Sequence, residues 1–342
     1  MSAHNHYHVT QSTKASLIAL IFGAVIVIVF ASVPFWAGRG DMRLLSEIFL
    51  YLTLASLWNL LAGYAGLVSV GQQAFVGLGG YCLFALAMFG GLHPIVALPL
   101  IGIVGALVAI PVALIIFRLN GAYFAIGTWV VAEVFRLGFA QISVLGGGSG
   151  TSLPIGIVKS IASSRTMRDS ISYWAALSVC LIVLSVIYLW LRSRHGISLT
   201  AIRDNELAAK SLGIDIWWTK LKVFIVTAAM TSIVGGLIFL QKLRISPDAA
   251  FSVNDWTAYV IFMVVIGGIG TIEGPIIGTL LYFVLRGFFA DLGTTYLMIL
   301  GFVAIIIILK SPKGIWGYIH DKYDFSLFSL RRRVLPNHTT KR

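Results

Sequence analysis

Charge is what this chain has least of. Asp, Glu, Lys and Arg make up 11% of its 342 residues, while 58% are hydrophobic. A soluble domain carries about 25% charged residues. So much apolar surface does not fit inside one aqueous core, and the bilayer must act as solvent for a large part of it. Cysteine is nearly absent: Cys82 and Cys180 both fall inside apolar runs, so no disulfide framework is indicated. Acidic residues number 13 against 25 Lys and Arg. The basic excess gathers at the ends of apolar runs and in two polar segments, the pattern of membrane orientation rather than of nucleic-acid binding. Missing too are a G-x-x-x-x-G-K-S/T phosphate loop, an H-E-x-x-H pair, any metal-ligand spacing and a convincing nucleophile set, so a membrane enzyme ranks far behind a transporter.

What the chain does contain is long apolar runs. A helix needs about 20 residues to cross about 30 Å of hydrocarbon. Ten stretches approach that length: roughly 15–37, 44–62, 70–90, 94–117, 121–142, 172–191, 222–240, 257–272, 275–290 and 294–311. The expected fold class is all-α, a polytopic helical membrane protein of about ten transmembrane helices; a barrel would show short alternating segments. Glycine or charge interrupts the third, fifth, eighth and ninth stretches. The run 15–37 is too long for a signal peptide's apolar region and reads as a retained first span. Before it His4, His6 and His8 alternate, and a solvated tail is the simpler reading than weak metal binding.

Lys and Arg set the expected orientation. The segment 192–222 carries Arg192, Arg194, Arg203, Lys210, Lys220 and Lys222, and a second basic group follows residue 309. Both should be cytoplasmic, as should both termini, in a cell inner (plasma) membrane. The segment 143–171 dissents: it would face outward yet carries Lys159, Arg165 and Arg168. The organisation expected is a tail 1–14, a transmembrane domain 15–312 with a cytoplasmic loop 192–222, and a basic tail 313–342. Ten spans divided five and five would place two halves in opposite orientations, as an inverted repeat requires; sequence similarity between the halves is faint. The sequon Asn337-His338-Thr339 would lie in the cytoplasm and reads as a chance match.

The stretch AIRDNELAAKSLGI (201–214) is polar and helix-prone between two apolar runs. Asn205 suits an N-cap and Gly213 a C′ position. Glu206 precedes Lys210 by four residues, the favourable order for a helical ion pair. Leu207, Ala208, Ser211 and Leu212 give a small apolar face. A helix of about two turns does not hold in water alone, so the membrane domain or a partner subunit must receive it. Trp217 and Trp218 read as interfacial anchors.

Other polar points interrupt the spans. The stretch 63–81 is rich in glycine and carries Ser69, Gln72 and Gln73; it either packs helices closely or forms an unwound stretch lining a pathway. Residues 267–278 form a second glycine-rich interruption. Glu133 and Arg136 share a helix face inside the fifth span, where an ionisable group costs about 2.5–3.5 kcal/mol on insertion scales, so they should be paired and face protein or water. Glu47 and Arg286 fall nearer the interfaces.

AIRDNELAAKSLGIDIWWTKLKVFIVTA (201–228) resembles the cytoplasmic coupling loop of ABC importer permeases, in particular those of branched-chain amino acid importers. GYAGLVSVGQQAFVGLGGY (63–81), LNGAYFAIGTWVVAEVFRL (119–137), GGSGTSLP (147–154) and SPDAAFSVNDWTAYVIFMVVIGGIGTIEGPIIGTLL (246–281) resemble the same family in the same order. Gln72-Gln73 and Gly79-Gly80 depart from its consensus and leave the solute open. The resemblance implies that Arg203, Asp204, Asn205, Glu206, Ala208, Ala209, Lys210 and Gly213 couple this chain to a cytoplasmic ATPase. Ser69, Gln72, Gln73, Tyr123, Glu133 and Arg136 are the candidates for lining a pathway. The resemblance further implies two ATPase subunits holding ATP and Mg, a second permease and an extracytoplasmic solute-binding protein, with no cofactor, metal or catalytic residue on this chain. The solute implied is a branched-chain or other hydrophobic amino acid; related systems take urea, short amides or aromatic acids. The competing class is an ion-coupled secondary transporter with Glu133 or Glu47 as a proton site, which would leave the 199–215 loop without a role. Transport that survives ATP depletion would mark it.

Overall fold

A computed structural model describes residues 7–10, 14–289, 294–311, 313–323 and 333–336. Helices dominate. In chain order they are α1 (Lys14–Ser32), α2 (Arg39–Asn59), α3 (Gln72–Met88), α4 (Pro94–Ile116), α5 (Ala122–Ala140), α6 (Ile155–Ile161), α7 (Arg165–Arg192), α8 (Arg194–Asp204), α9 (Glu206–Ser211), α10 (Ile216–Lys242), α11 (Pro247–Ala250), α12 (Tyr259–Gly267), α13 (Glu273–Phe289), α14 (Thr294–Lys310) and α15 (Gly314–Tyr323). Among the described residues, 7 helical stretches are long and apolar enough to cross a membrane. They are Arg39–Tyr64, Pro94–Ile116, Ala122–Ala140, Arg165–Arg192, Ile216–Lys242, Pro247–Gly267 and Met298–Lys322. The chain is therefore an all-α polytopic membrane protein. His4, His6, Asn337, His338 and Thr339 lie outside the described residues.

Local chemistry sets the helix starts. Pro94 opens α4, with its missing N–H at a position where no partner is needed. Ser164 Oγ accepts from Met167 N at 3.1 Å ahead of α7, and Asp215 Oδ1 accepts from Trp218 N at 3.0 Å ahead of α10. Leu243, in the left-handed region at φ 59°, ends α10.

Packing centres on α2 and α10, the two long helices most deeply enclosed. α10 lies along α3 and α4, α2 along α7, and α12 along α13. Small residues permit the closest crossing: a Cβ on Gly79 of α3 would strike the Ser232 carbonyl of α10, and one on Gly235 would strike the Val76 carbonyl of α3. The glycine-rich stretch 63–81 packs closely and is partly unwound. α2 ends in a π-helical turn, Leu60–Tyr64, and the chain then runs irregularly to Gly71 before α3 begins.

Two pairings close the ends. Thr151–Ser152 pairs antiparallel with Arg244–Ile245, tying the loop after α5 to the end of α10. Tyr7–Thr10 pairs antiparallel with Arg333–Pro336, so the segments before α1 and after α15 meet.

Candidate functional site

The polar connector between α7 and α10 folds as two short helices. Ser193 Oγ accepts from His195 N at 3.2 Å to start α8, and Asn205 Oδ1 accepts from Ala208 N at 3.0 Å to start α9. Gly213, at φ 80°, turns the chain out of α9, a conformation glycine takes without steric cost. α8 was not separated from the loop in the sequence; Ser193, a capping residue just after the apolar run, is the signal that marks it. α9 buries only Ala209, while Leu207 and Leu212 are 79% and 78% exposed. The expected Glu206–Lys210 pair is not formed. Glu206 instead takes Lys220 of α10, because α10 returns beside α9 and offers a half-sheltered ammonium, while Lys210 stays exposed.

Arg203 fastens this connector to the spans. Its Nη1 donates to the Gly63 carbonyl at 2.8 Å, and its Nη2 pairs with Asp204 Oδ1 at 2.8 Å. The same junction holds Asn59, whose Nδ2 donates to the Thr271 carbonyl at 2.7 Å and whose Oδ1 accepts from Gly270 N at 2.8 Å. One knot thus joins the end of α2, the connector and the turn between α12 and α13. Asn59 was passed over in the sequence, although an amide inside the run SLWNLLAGY was the available sign.

Ser69, Gln72 and Gln73 lie deep between helices. Trp58 Nε1 donates to the Ser69 carbonyl at 2.7 Å, and Gln72 Nε2 donates to the Leu54 carbonyl at 2.9 Å. The Thr257 hydroxyl donates to Gln73 Oε1. Ser69 and Gln72 border a cavity of about 30 Å³ shared with Thr128, Thr227 and Thr231, room for about one water. Tyr123, Glu133 and Arg136 stand elsewhere, on the outward side of α5. Tyr123 is exposed, Arg136 pairs with Glu133 at 2.6 Å, and Asp248 takes its other face at 2.7 Å. The pathway candidates are therefore two separate groups.

A cavity of about 1280 Å³ opens at the other end of α2, away from the Arg203 knot. Sequence reading did not assemble it. Arg39 and Arg43 of α2 share Asp169 of α7 at 2.7 and 3.3 Å, and Arg286 of α13 holds Glu47 of α2 at 2.7 Å. Lys159, Arg165 and Arg168, the cations that dissented from the orientation rule, belong to this wall. So do Lys242, Asp255 and an aromatic group of Tyr51, Trp256, Tyr259 and Tyr282. Glu47 and Arg286 thus meet inside the cavity, whereas Glu133 and Arg136 do not border it.

The family model described as "Branched-chain amino acid transport system / permease component" matches residues 42–309. The high-affinity branched-chain amino acid transport system permease protein LivM of Salmonella typhimurium (strain LT2) is 27% identical over 317 residues, covering 86% of this chain and 74% of that protein. LivM of Escherichia coli (strain K12) is 27% identical over 328 residues, covering 90% and 75%. The permease protein BraD of Pseudomonas aeruginosa is 32% identical over 130 residues, covering 37% and 41%. No solved structure matches the chain.

Proposed function

The chain belongs to the family of branched-chain amino acid transport permease components, and from that premise we propose how it works: as the membrane subunit that carries branched-chain amino acids across the cell inner membrane when partner chains hydrolyse ATP. It is a permease subunit of an ABC transporter and not an enzyme; the ATPase is a separate chain. ATP and Mg sit on that partner, and this chain needs no cofactor of its own.

One observation carries the mechanism. α9 projects two exposed leucines beside a polar rim, yet Arg203, two residues before its cap Asn205 and three before α9 begins, is bonded into the end of α2. A surface helix with unpartnered apolar residues suits a groove on another protein. The Arg203 and Asn59 bonds let a push on that helix reach α2 and the α12–α13 turn together. Arg203, Asp204, Asn205, Glu206, Ala208, Ala209, Lys210 and Gly213 form the docking element in this reading. The second permease faces α5. Among the seven described spans that helix is the least enclosed after Met298–Lys322, and its Glu133–Arg136–Asp248 group would be expensive against lipid.

The finer architecture follows the same reading: ten spans in two inverted halves, both termini cytoplasmic, with a solute-binding protein delivering at the opposite face. The packing supports it. α10 lies on α3 and α4 as α2 lies on α12 and α13, and α3 meets α4 as α12 meets α13. The pairing of Tyr7–Thr10 with Arg333–Pro336 favours an even number of crossings. An ion-coupled mechanism has less support, since Glu133 and Glu47 are each held by an arginine.

The test is co-purification of the tagged chain with its ATPase, combined with ATP-driven uptake in proteoliposomes. Uptake of leucine, isoleucine or valine that requires ATP supports the proposal. Uptake that survives ATP depletion and collapses with the proton gradient removes it. Glu206→Lys and Gly213→Val should insert normally yet lose uptake; unchanged uptake in both would remove the docking element.

A further inference from the structure

The 1280 Å³ cavity holds two opposite charges, Lys242 and Asp255, that attract each other but make no ion pair among the described residues. Its other carboxylates are committed: Glu47 to Arg286, and Asp169 to Arg39 and Arg43. Among the described residues, Asp255 makes no ion pair and its carboxylate accepts no hydrogen bond; its one side-chain neighbour of note in the bonding pattern is Ser252, whose Oγ accepts from the Asp255 backbone N–H. Lys242 likewise makes no ion pair. Its Nζ rests 4.6 Å from the centroid of the Trp256 ring and 5.7 Å from that of Phe239. A cation over an indole is attracted by the ring face, so the ammonium is held in place short of an ion pair with Asp255, whose charge it feels. Trp256 follows Asp255 directly in the chain, so one short turn anchors both charges.

The surface beside them is aromatic. Tyr51 stacks on Trp256 at 5.9 Å and 26°, and Tyr282 lies 6.1 Å from Tyr51. An unpaired ammonium, an unpaired carboxylate and an apolar wall in one cavity describe the complement of a single chemical class: a small molecule with a carboxylate, an ammonium and a hydrophobic side chain. We propose that this wall is a solute subsite for an α-amino acid, in which Lys242 takes the carboxylate, Asp255 takes the ammonium, and the Tyr51–Trp256–Tyr282 surface takes the side chain. The proposal rests on the transport reading above and narrows it.

The alternatives fit less of the wall. Urea or a short amide would bring no counter-charge to either group. An aromatic acid would satisfy Lys242 and leave Asp255 facing apolar carbon. A dicarboxylate would bring a second anion to Asp255. The remaining cations of the wall, Arg244 and Lys159 among them, make the mouth positive. A positive mouth favours solutes that present a carboxylate first, and low-dielectric walls focus such fields. The cavity is larger than the clefts of about 300–1,000 Å³ that bury drug-sized ligands, so an amino acid enters with water around it and needs no closure to reach the wall.

The test uses the assembled permease complex in detergent with tritiated L-leucine, competed by L-leucine methyl ester, which lacks the carboxylate, and by 4-methylpentanoate, which lacks the amine. In wild type each analogue should compete at least about tenfold more weakly than leucine, the size expected for truncating one side of a sheltered charge pair. Lys242→Met should erase the preference for leucine over the methyl ester while keeping the preference over 4-methylpentanoate. Asp255→Asn should do the reverse, and Lys242→Arg should restore carboxylate discrimination. Variants that discriminate as wild type does, equal weakening toward all three probes, or no leucine binding by wild type at millimolar concentration would each overturn the subsite. ATP-driven leucine uptake by the wild-type complex separates the two ideas. If wild type takes up leucine but the variants keep both preferences, the subsite alone is wrong; if wild type takes up urea and not leucine, the transport reading falls with it.

Discussion

Arg203 is the residue on which the coupling argument turns. It lies outside the span it serves, and its bond to the Gly63 carbonyl is charge-assisted, so losing it costs about 1.5–3 kcal/mol locally. Arg203→Ala should therefore leave the chain folded but loosen the connector from α2. The expected outcome in the reconstituted complex is ATP hydrolysis that continues while solute moved per ATP falls several-fold. A constant ratio would mean the bond transmits nothing. Gly63 predicts a different failure. A Cβ there would overlap Asn59 Oδ1 and Gly270 N, and forcing atoms into a filled site costs about 1–3 kcal/mol. Gly63→Ala should lower the melting temperature of the purified chain, whereas Gly66→Ala, whose Cβ would meet Arg203 only at ordinary contact distance but whose φ is 71°, should lower it through backbone strain alone. Comparing the two separates crowding at the knot from turn geometry.

At the scale of elements, α9 is the piece whose design makes no sense in isolation. Leu207 and Leu212 contribute little to folding where they stand, and surface substitutions of this kind usually stay within about 0.5 kcal/mol. Leu207→Asp with Leu212→Asp should thus keep expression and melting temperature at wild-type levels while the ATPase no longer co-purifies. Retained co-purification would send the search for the docking surface elsewhere. This element was legible from sequence because its caps are local: Asn205, Gly213 and the helix formers between them lie within nine residues of one another, counted on the sequence. The apolar runs were legible for the same reason, and a helix lies over each stretch read as a span. What escaped was everything joined across the chain. Asn59 and Thr271 meet from 212 positions apart, and no periodicity announces such a bond. The large cavity escaped for a related reason, since its wall draws on α2, α6, α7, α10, α12 and α13. In the sequence Lys242 and Arg244 simply stand at the end of an apolar run, and nothing local marks them as cavity wall.

For the whole molecule, the question is which end faces which compartment. The Arg203 knot and the cavity sit at opposite ends of α2, so fixing one side fixes the other. The positive-inside rule places the connector in the cytoplasm. It then has to tolerate a cavity rich in Lys and Arg on the outer face. That exception has a physical reason in the structure. Several of those cations are held in ion pairs, as Arg39 and Arg43 are by Asp169, and others line the open cavity, where in the proposed reading they face solute and water instead of reporting topology. The orientation can be read directly. Lys159 belongs to the cavity wall and Ser211 is exposed at the end of α9, so Lys159→Cys and Ser211→Cys place a thiol at either end, in a background with Cys82 and Cys180 replaced by Ala. A membrane-impermeant maleimide applied to intact spheroplasts should label the thiol at 159 and spare the one at 211, and permeabilisation should expose 211. Labelling of 211 from outside would put α9 on the face where no ATPase exists. The knot would then have nothing to receive from a nucleotide-driven partner, and the cavity would open toward the cytoplasm, where an importer releases solute rather than selects it.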